Sequence, residues 1–280
     1  MQVKHEFIEI YDADLKKYLE EAGINIETKS IYTCFTLLQD SDDWVRFREA
    51  FPEIQPHYSN YVYTEEEMEN AQWYTIESTN WKIECAYMEE TFSTSCEYSS
   101  KVGDRNETIN IGYHITQVAP FYLSKPIKWG KNYFYSNMYG GKRTIFCSDK
   151  AKAIMENAGL KGAVFSPVIN HNSGIVYDNS FQFDSCNIIS DDDIRFYGPA
   201  KLWKCPLCGK SKYLTSALTQ IVVNKSILGN SDFYKTNDVH TFLHYSSYPE
   251  PFWIISKKAY NTIKAYGMDR SMHIMPLMTF

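Results

Sequence analysis

IFCSDKAKAIMENAGLKGAVFSPV, residues 145–168, and FWIISKKAYNTIKAYGMDRSMHIMPL, residues 252–277, follow one grammar. Each opens on a β-branched or aromatic run, passes a serine, continues with helical periodicity, stops at a glycine and resumes as an apolar run with a proline. The serine suits a helix start because its short side chain can accept from a backbone N–H that the first turn leaves unpaired. The glycine suits the stop because it enters the left-handed region without steric cost. Aligning Ser148 with Ser256, an offset of 256 − 148 = 108, also places Lys150 on Lys258, Ala151 on Ala259 and Gly159 on Gly267, and Pro167 meets Pro276 after one inserted residue. The flanks IFCS and WIIS, and FSPV and IMPL, match in character. This is an internal repeat of two strand–helix–strand units, at about 136–170 and 245–280. It predicts an α+β fold with mixed sheets and short helices, in which Ile154 and Met155 of one helix, and Ile263 of the other, pack on a shared sheet.

The composition sets wider bounds. At 280 residues the chain can bury a large core without disulfides or metal. A content of 44% hydrophobic and 22% charged residues argues for a globular protein rather than a disordered one. No apolar run reaches the roughly 18 residues a membrane span needs, and the N-terminus lacks a signal-peptide core, so the expectation is a soluble, cytoplasmic protein with no membrane partner. Seven cysteines, an odd number, fit a reducing compartment better than a disulfide framework.

Charge is unevenly spread. Residues 1–100 hold 7 Lys/Arg against 21 Asp/Glu, a balance of −14, which leaves 21 against 13, or +8, for residues 101–280. The split predicts an acidic α+β module at 1–112 and a second α+β module at 113–280, with the polar GDRNET segment, residues 103–108, as the boundary. An acidic first third excludes nucleic-acid binding there, since phosphate contacts need Lys and Arg. Helices are predicted at 12–23, at 41–51 behind a Ser41 cap, and after Thr64, whose spacing to Glu67 is that of a capping box.

Between the two repeat units lies KLWKCPLCGKSKY, residues 201–213. Thiolate is a soft, charged ligand, and the Pro-Leu turn between Cys205 and Cys208, with Gly209 behind it, lets both sulfurs point at one ion. A structural zinc ion wants two ligands more, and the spacing in VHTFLH nominates His240 and His244, with Cys85, Cys96 and Cys186 as other contributors. GGKRT at 140–144 lacks the rest of a phosphate loop, and no nucleophile or metalloprotease motif occurs. No catalytic residue is nominated.

The order LWKCPLCG, IVVNKSILGNSDFYKT, FWIISKKAYNTIKAYG, preceded by KWGKNYFYSN and the first repeat unit, resembles the bacterial double-CxxCG family and related immunity proteins of polymorphic toxin systems over about 113–280. The chain departs from that pattern in carrying one CxxC rather than two. The resemblance implies a binding protein that neutralises a cognate toxin; apart from it, the residues leave a structural or regulatory zinc-binding module, or an enzyme without a recognisable motif, as alternatives. Many toxin domains are basic nucleases, and an acidic surface would steer them. The contacts expected on that basis are Asp42, Asp43, Glu65, Glu66, Glu67 and Glu69, with Trp44 and Trp73 as aromatic anchors.

Overall fold

The computed structural model describes the chain except for residues 11, 30, 80–82, 84, 87, 97–99, 103–106, 110–114, 138–143, 217, 239 and 243–249. It divides into two compact units, Met1–Asn70 and Ala71–Phe280. With 23% helix and 44% strand in several mixed sheets, the architecture is α+β.

The first unit runs β1 (Gln2–Ile10), α1 (Ala13–Glu21), β2 (Ile26–Lys29), β3 (Tyr32–Leu38), α2 (Asp42–Ala50), β4 (Tyr58–Val62), α3 (Glu65–Asn70). Its four-stranded antiparallel sheet has the order β2-β3-β1-β4. Side chains alternate across a pleated strand, so His5 and Phe7 of β1 share a face with Phe35 and Leu37 of β3. Phe7 lies directly opposite Phe35, their rings 4.7 Å apart, and both meet Leu15 and Leu19 of α1 and Phe47 of α2 in one core. Burying a side chain such as Phe47 contributes about 1.5–3 kcal/mol. The expected caps are present, Ser41 accepting from Trp44 N–H at 3.1 Å and Thr64 and Glu67 exchanging bonds of 2.9 and 3.1 Å, and Asp12 adds a further cap by accepting from Leu15 N–H at 2.9 Å.

In the second unit the repeat is visible bond by bond. Ser148 caps the helix Asp149–Asn157 by accepting from Ala151 N–H, and Ser256 caps Lys257–Ala265 by accepting from Ala259 N–H, both at 3.1 Å. Gly159 at φ +61° and Gly267 at φ +63° end them. Met155, Ala151, Ala259 and Ile263 are buried, while Ile154 is only half-buried.

The shared sheet is not found. Thr144–Ser148 and Ala163–Asn170 belong to a six-stranded sheet, whereas Trp253–Ser256 and Met272–Pro276 belong to a five-stranded one. The reason is that each unit encloses a central strand of its own. Val176–Ser185 lies antiparallel between the strands of the first unit, and Trp73–Ser78 between those of the second. An outer strand then pairs antiparallel with each leading strand, Phe134–Asn137 in one case and Phe233–Thr236 in the other. Segment 71–112, read from sequence as the end of the acidic module, thus supplies the centre of a sheet in the second unit through Trp73–Ser78. Phe183 joins the two sheets, 5.2 Å from Phe233 and stacked 5.5 Å from Trp253.

Candidate metal centre

The KLWKCPLCGKSKY stretch forms a hairpin. Strand Ala200–Lys204 pairs with Ser211–Thr215, Trp203 opposite Lys212, and the tip is closed by Cys205 N–H donating to Lys210 O at 2.8 Å and Gly209 N–H donating to Cys205 O at 2.9 Å. The closure requires Gly209 at φ +72°, a conformation that other residues enter at a cost.

A third sulfur approaches from far away in sequence. Strand Phe92–Thr94 pairs with Ile115–Gln117, and Phe92 is buried against Phe121 at 5.6 Å, which anchors the segment that carries Cys96. Cys96 Sγ lies 3.8 Å from Cys205 Sγ, and the sulfurs of Cys96, Cys205 and Cys208 all fall within 4.8 Å of one another. A zinc ion with bonds of about 2.3 Å to tetrahedral thiolates would set its sulfurs about 3.8 Å apart, the separation seen between Cys96 and Cys205. A disulfide would need about 2.05 Å.

The electrostatics favour thiolate at this position. Burial pushes the Cys205 thiol up, since only 1% of the residue is exposed, but the backbone N–H groups of Cys208 and Leu207 and the Cys208 and Cys96 side chains outweigh it and hold its pKa below the usual value. Cys147 is the contrast: equally buried in Thr144–Ser148 and without such donors, its thiol is driven far up and is a packing residue. Lys212, 5% exposed, donates to Asp238 O, and burial lowers its pKa while Asp238, Asp191 and Cys208 oppose the effect. The trio can hold a metal ion.

Of the other expected ligands only Cys186 has a described side chain. Strand His240–Phe242 runs parallel to Ser211–Thr215 with His240 level with Tyr213, which puts its backbone beside the strand that leaves the CxxC hairpin; the side chains of His240 and Cys85 and all of His244 lie outside the described residues. Cys186 is exposed on the turn after Val176–Ser185. Cys96 is one of the three further cysteines the sequence offers, and nothing local singles it out from Cys85 and Cys186, because a ligand supplied from another segment leaves no spacing pattern to read.

The expected partner contacts are dispersed. Trp44 is half-buried, stacked on His5 at 4.2 Å against the first unit's core, and Trp73 packs edge-on to Tyr234 at 5.7 Å in the second unit's core. Asp42 and Asp43 lie in the first turn of α2, where Asp43 pairs with Arg46 at 2.7 Å. Glu65, Glu66 and Glu69 are exposed on α3, while Glu67 is engaged by Thr64 and by the Met1 ammonium, which together hold its carboxyl below the usual range. A cavity of about 450 Å³ is framed by Leu123, Ile127, Lys125, Lys128 and Tyr135, and among the described residues no carboxylate, imidazole or thiol lines it. Among the described residues no helix is long and apolar enough to cross a membrane. No protein-family model matches the chain, and neither the curated proteins nor the solved structures contain a match.

Proposed function

We propose that the chain is an immunity-type binding protein that neutralises a cognate toxin domain by direct contact inside the producing cell. One observation carries the reading: the acidic excess coincides with a compact unit. Met1–Asn70 contains 6 Lys/Arg against 16 Asp/Glu, a balance of −10, whereas the remaining 22 against 18 in Ala71–Phe280 give +4. A field of that sign concentrated on one small unit accelerates and orients capture of a basic partner, such as a basic nuclease, and opposes contact with nucleic acid. Contacts through Asp42, Asp43 and the glutamates of α3 belong to this reading. It is tested by calorimetry of the purified chain with the toxin domain encoded beside it. A one-to-one complex, weakened by salt and by Glu65→Lys with Glu66→Lys, is the expected result. Binding that ignores salt and survives in a chain charge-reversed on α3 refutes the acidic-surface version, and an unaffected toxin refutes neutralisation.

A second reading concerns the metal. We propose that the trio Cys96, Cys205 and Cys208 holds a structural zinc ion, with His240 or His244 as the fourth ligand. The sulfur spacing and the N–H donors to Cys205 support it. Metal analysis of the purified protein tests it: one equivalent of zinc is expected, and none after purification without chelators overturns it.

A further inference from the structure

Trp73 belongs to the second unit and Trp44 is half-buried against its own unit's core, so a partner of the first unit needs apolar contacts beyond these two residues. The sheet of that unit has two faces. The one carrying Phe7, Phe35 and Leu37 is covered by α1 and α2. The other carries the alternate residues, and on it Ile10, 71% exposed, lies directly opposite Tyr32, 42% exposed, with exposed Ile8 one pleat along and exposed Ile31 at the adjoining hairpin turn. Leu38 and Tyr58, also exposed, extend the same face toward its other end. Its charged residues neutralise each other in two ion pairs, Lys4 with Glu6 at 2.7 Å and Lys29 with Glu27 at 3.0 Å. Directly opposed cross-strand residues stand close enough to form one surface, and apolar surface of this kind on a soluble unit marks an interaction site.

We propose that this outer sheet face, centred on Ile8, Ile10 and Tyr32, is the docking surface for a basic protein domain; the inference rests on the neutralisation reading above. Charge decides the occupant. A second copy would bring another unit of −10 against the first, and a nucleic acid or an anionic bilayer would meet the same repulsion, whereas a basic protein is drawn in and finds an uncharged apolar centre. The division of labour is that the unit's net charge sets the encounter rate and the face sets the lifetime of the complex.

The test titrates the neutralised toxin domain against wild type, Ile10→Asp, Ile10→Lys, Tyr32→Asp and, as a control in the second unit, Ile175→Asp at another exposed isoleucine. Circular dichroism and thermal melting establish that each variant is folded. Both Ile10 variants and Tyr32→Asp are expected to weaken binding by about tenfold or more, with Ile175→Asp unchanged. Tighter binding by Ile10→Asp with weaker binding by Ile10→Lys would show that charge alone matters at this face and overturn the proposal, as would no change in either. A wild-type chain that binds no toxin removes the neutralisation reading and this inference together, while binding that is intact in every face variant removes this inference alone. Self-association in sedimentation that Ile10→Asp abolishes would assign the face to a second copy instead.

Discussion

The Sγ atoms of Cys96 and Cys205 stand 3.8 Å apart although 109 residues separate them. Cysteine sulfurs are brought to that distance by packing that fixes both backbones, here the buried Phe92 beside one and the β-hairpin beneath the other. Cobalt(II) titration of the apoprotein is therefore expected to give thiolate-to-metal charge-transfer absorption that saturates at one equivalent. Cys96→Ser, Cys205→Ser and Cys208→Ser should each weaken metal binding by more than about tenfold, whereas Cys186→Ser, whose thiol is exposed elsewhere, should leave it unchanged. Since the ligands bind deprotonated, affinity should fall as pH falls. Cys96→Ser with unchanged affinity would remove that residue from the centre.

The first unit carries a pH dependence of its own. His5 is buried on the inner face of β1, donating or accepting with Ser59 Oγ at 2.8 Å, and burial holds its pKa below the ordinary 6.5, with Gln39 and Asp40 opposing and Arg48 assisting. A histidine whose folded pKa is depressed binds fewer protons in the native state than in the unfolded one. Stability is therefore highest above the unfolded value, declines as pH falls through about 6.5 toward the folded pKa, and levels off below it. Hydrogen exchange of full-length protein, followed on peptides of β1 and α2, should show protection lost over that window. A profile that is flat between neutral pH and mild acid would contradict it.

Gly162 tests a close backbone approach. It sits at φ +90° at the entry to Ala163–Asn170, and an added Cβ would come within 2.8 Å of Phe233 O, 2.5 Å of Asn187 Nδ2 and 2.1 Å of Ser231 Oγ. Phe233 O already accepts from Ser185 Oγ at 2.9 Å and from Asn187 Nδ2 at 3.0 Å, so the backbone there is not free to retreat. Gly162→Ala is expected to destabilise the second unit by about 1–3 kcal/mol in thermal or urea unfolding. Gly23→Ala, at φ +72° with open space around it, should cost only the backbone term, about 1 kcal/mol.

The helices and their ends were legible in the sequence because capping is local. Ser41, Thr64, Ser148 and Ser256 each act within three residues of themselves. The repeat was legible for the same reason. What sequence could not supply was long-range pairing: that Trp73–Ser78 enters the sheet of the last repeat unit, that each unit encloses a separate central strand, and which of the nominated cysteines meets the CxxC pair. Patterns of period two or 3.6 report which residues face a core, but not which strand completes it. Trp44 and Trp73 show the same limit, since an aromatic residue next to acids reads alike whether it faces a partner or its own core.

Asp232 joins the two repeat units, and this gives them different sensitivities. It is 9% exposed; one carboxylate oxygen accepts from Ser256 Oγ at 2.6 Å, the other from Lys161 N–H at 2.8 Å, and its carbonyl accepts from Ser256 N–H at 2.9 Å. Lys161 lies just beyond the Gly159 stop of the first unit, so one aspartate ties that exit to the cap of the second. Asp232→Ala leaves two donors without their acceptor in a buried setting and is expected to cost about 2–4 kcal/mol. Ser256→Ala should cost more than Ser148→Ala, although the two serines make equivalent 3.1 Å caps, because it removes the cap and a partner of the buried carboxylate at once. A double-mutant cycle between Ser256→Ala and Asp232→Ala should return a coupling of about 1 kcal/mol or more. Additive losses, or equal costs for the two serines, would show that the repeat units are capped independently and that Asp232 does not bind them together.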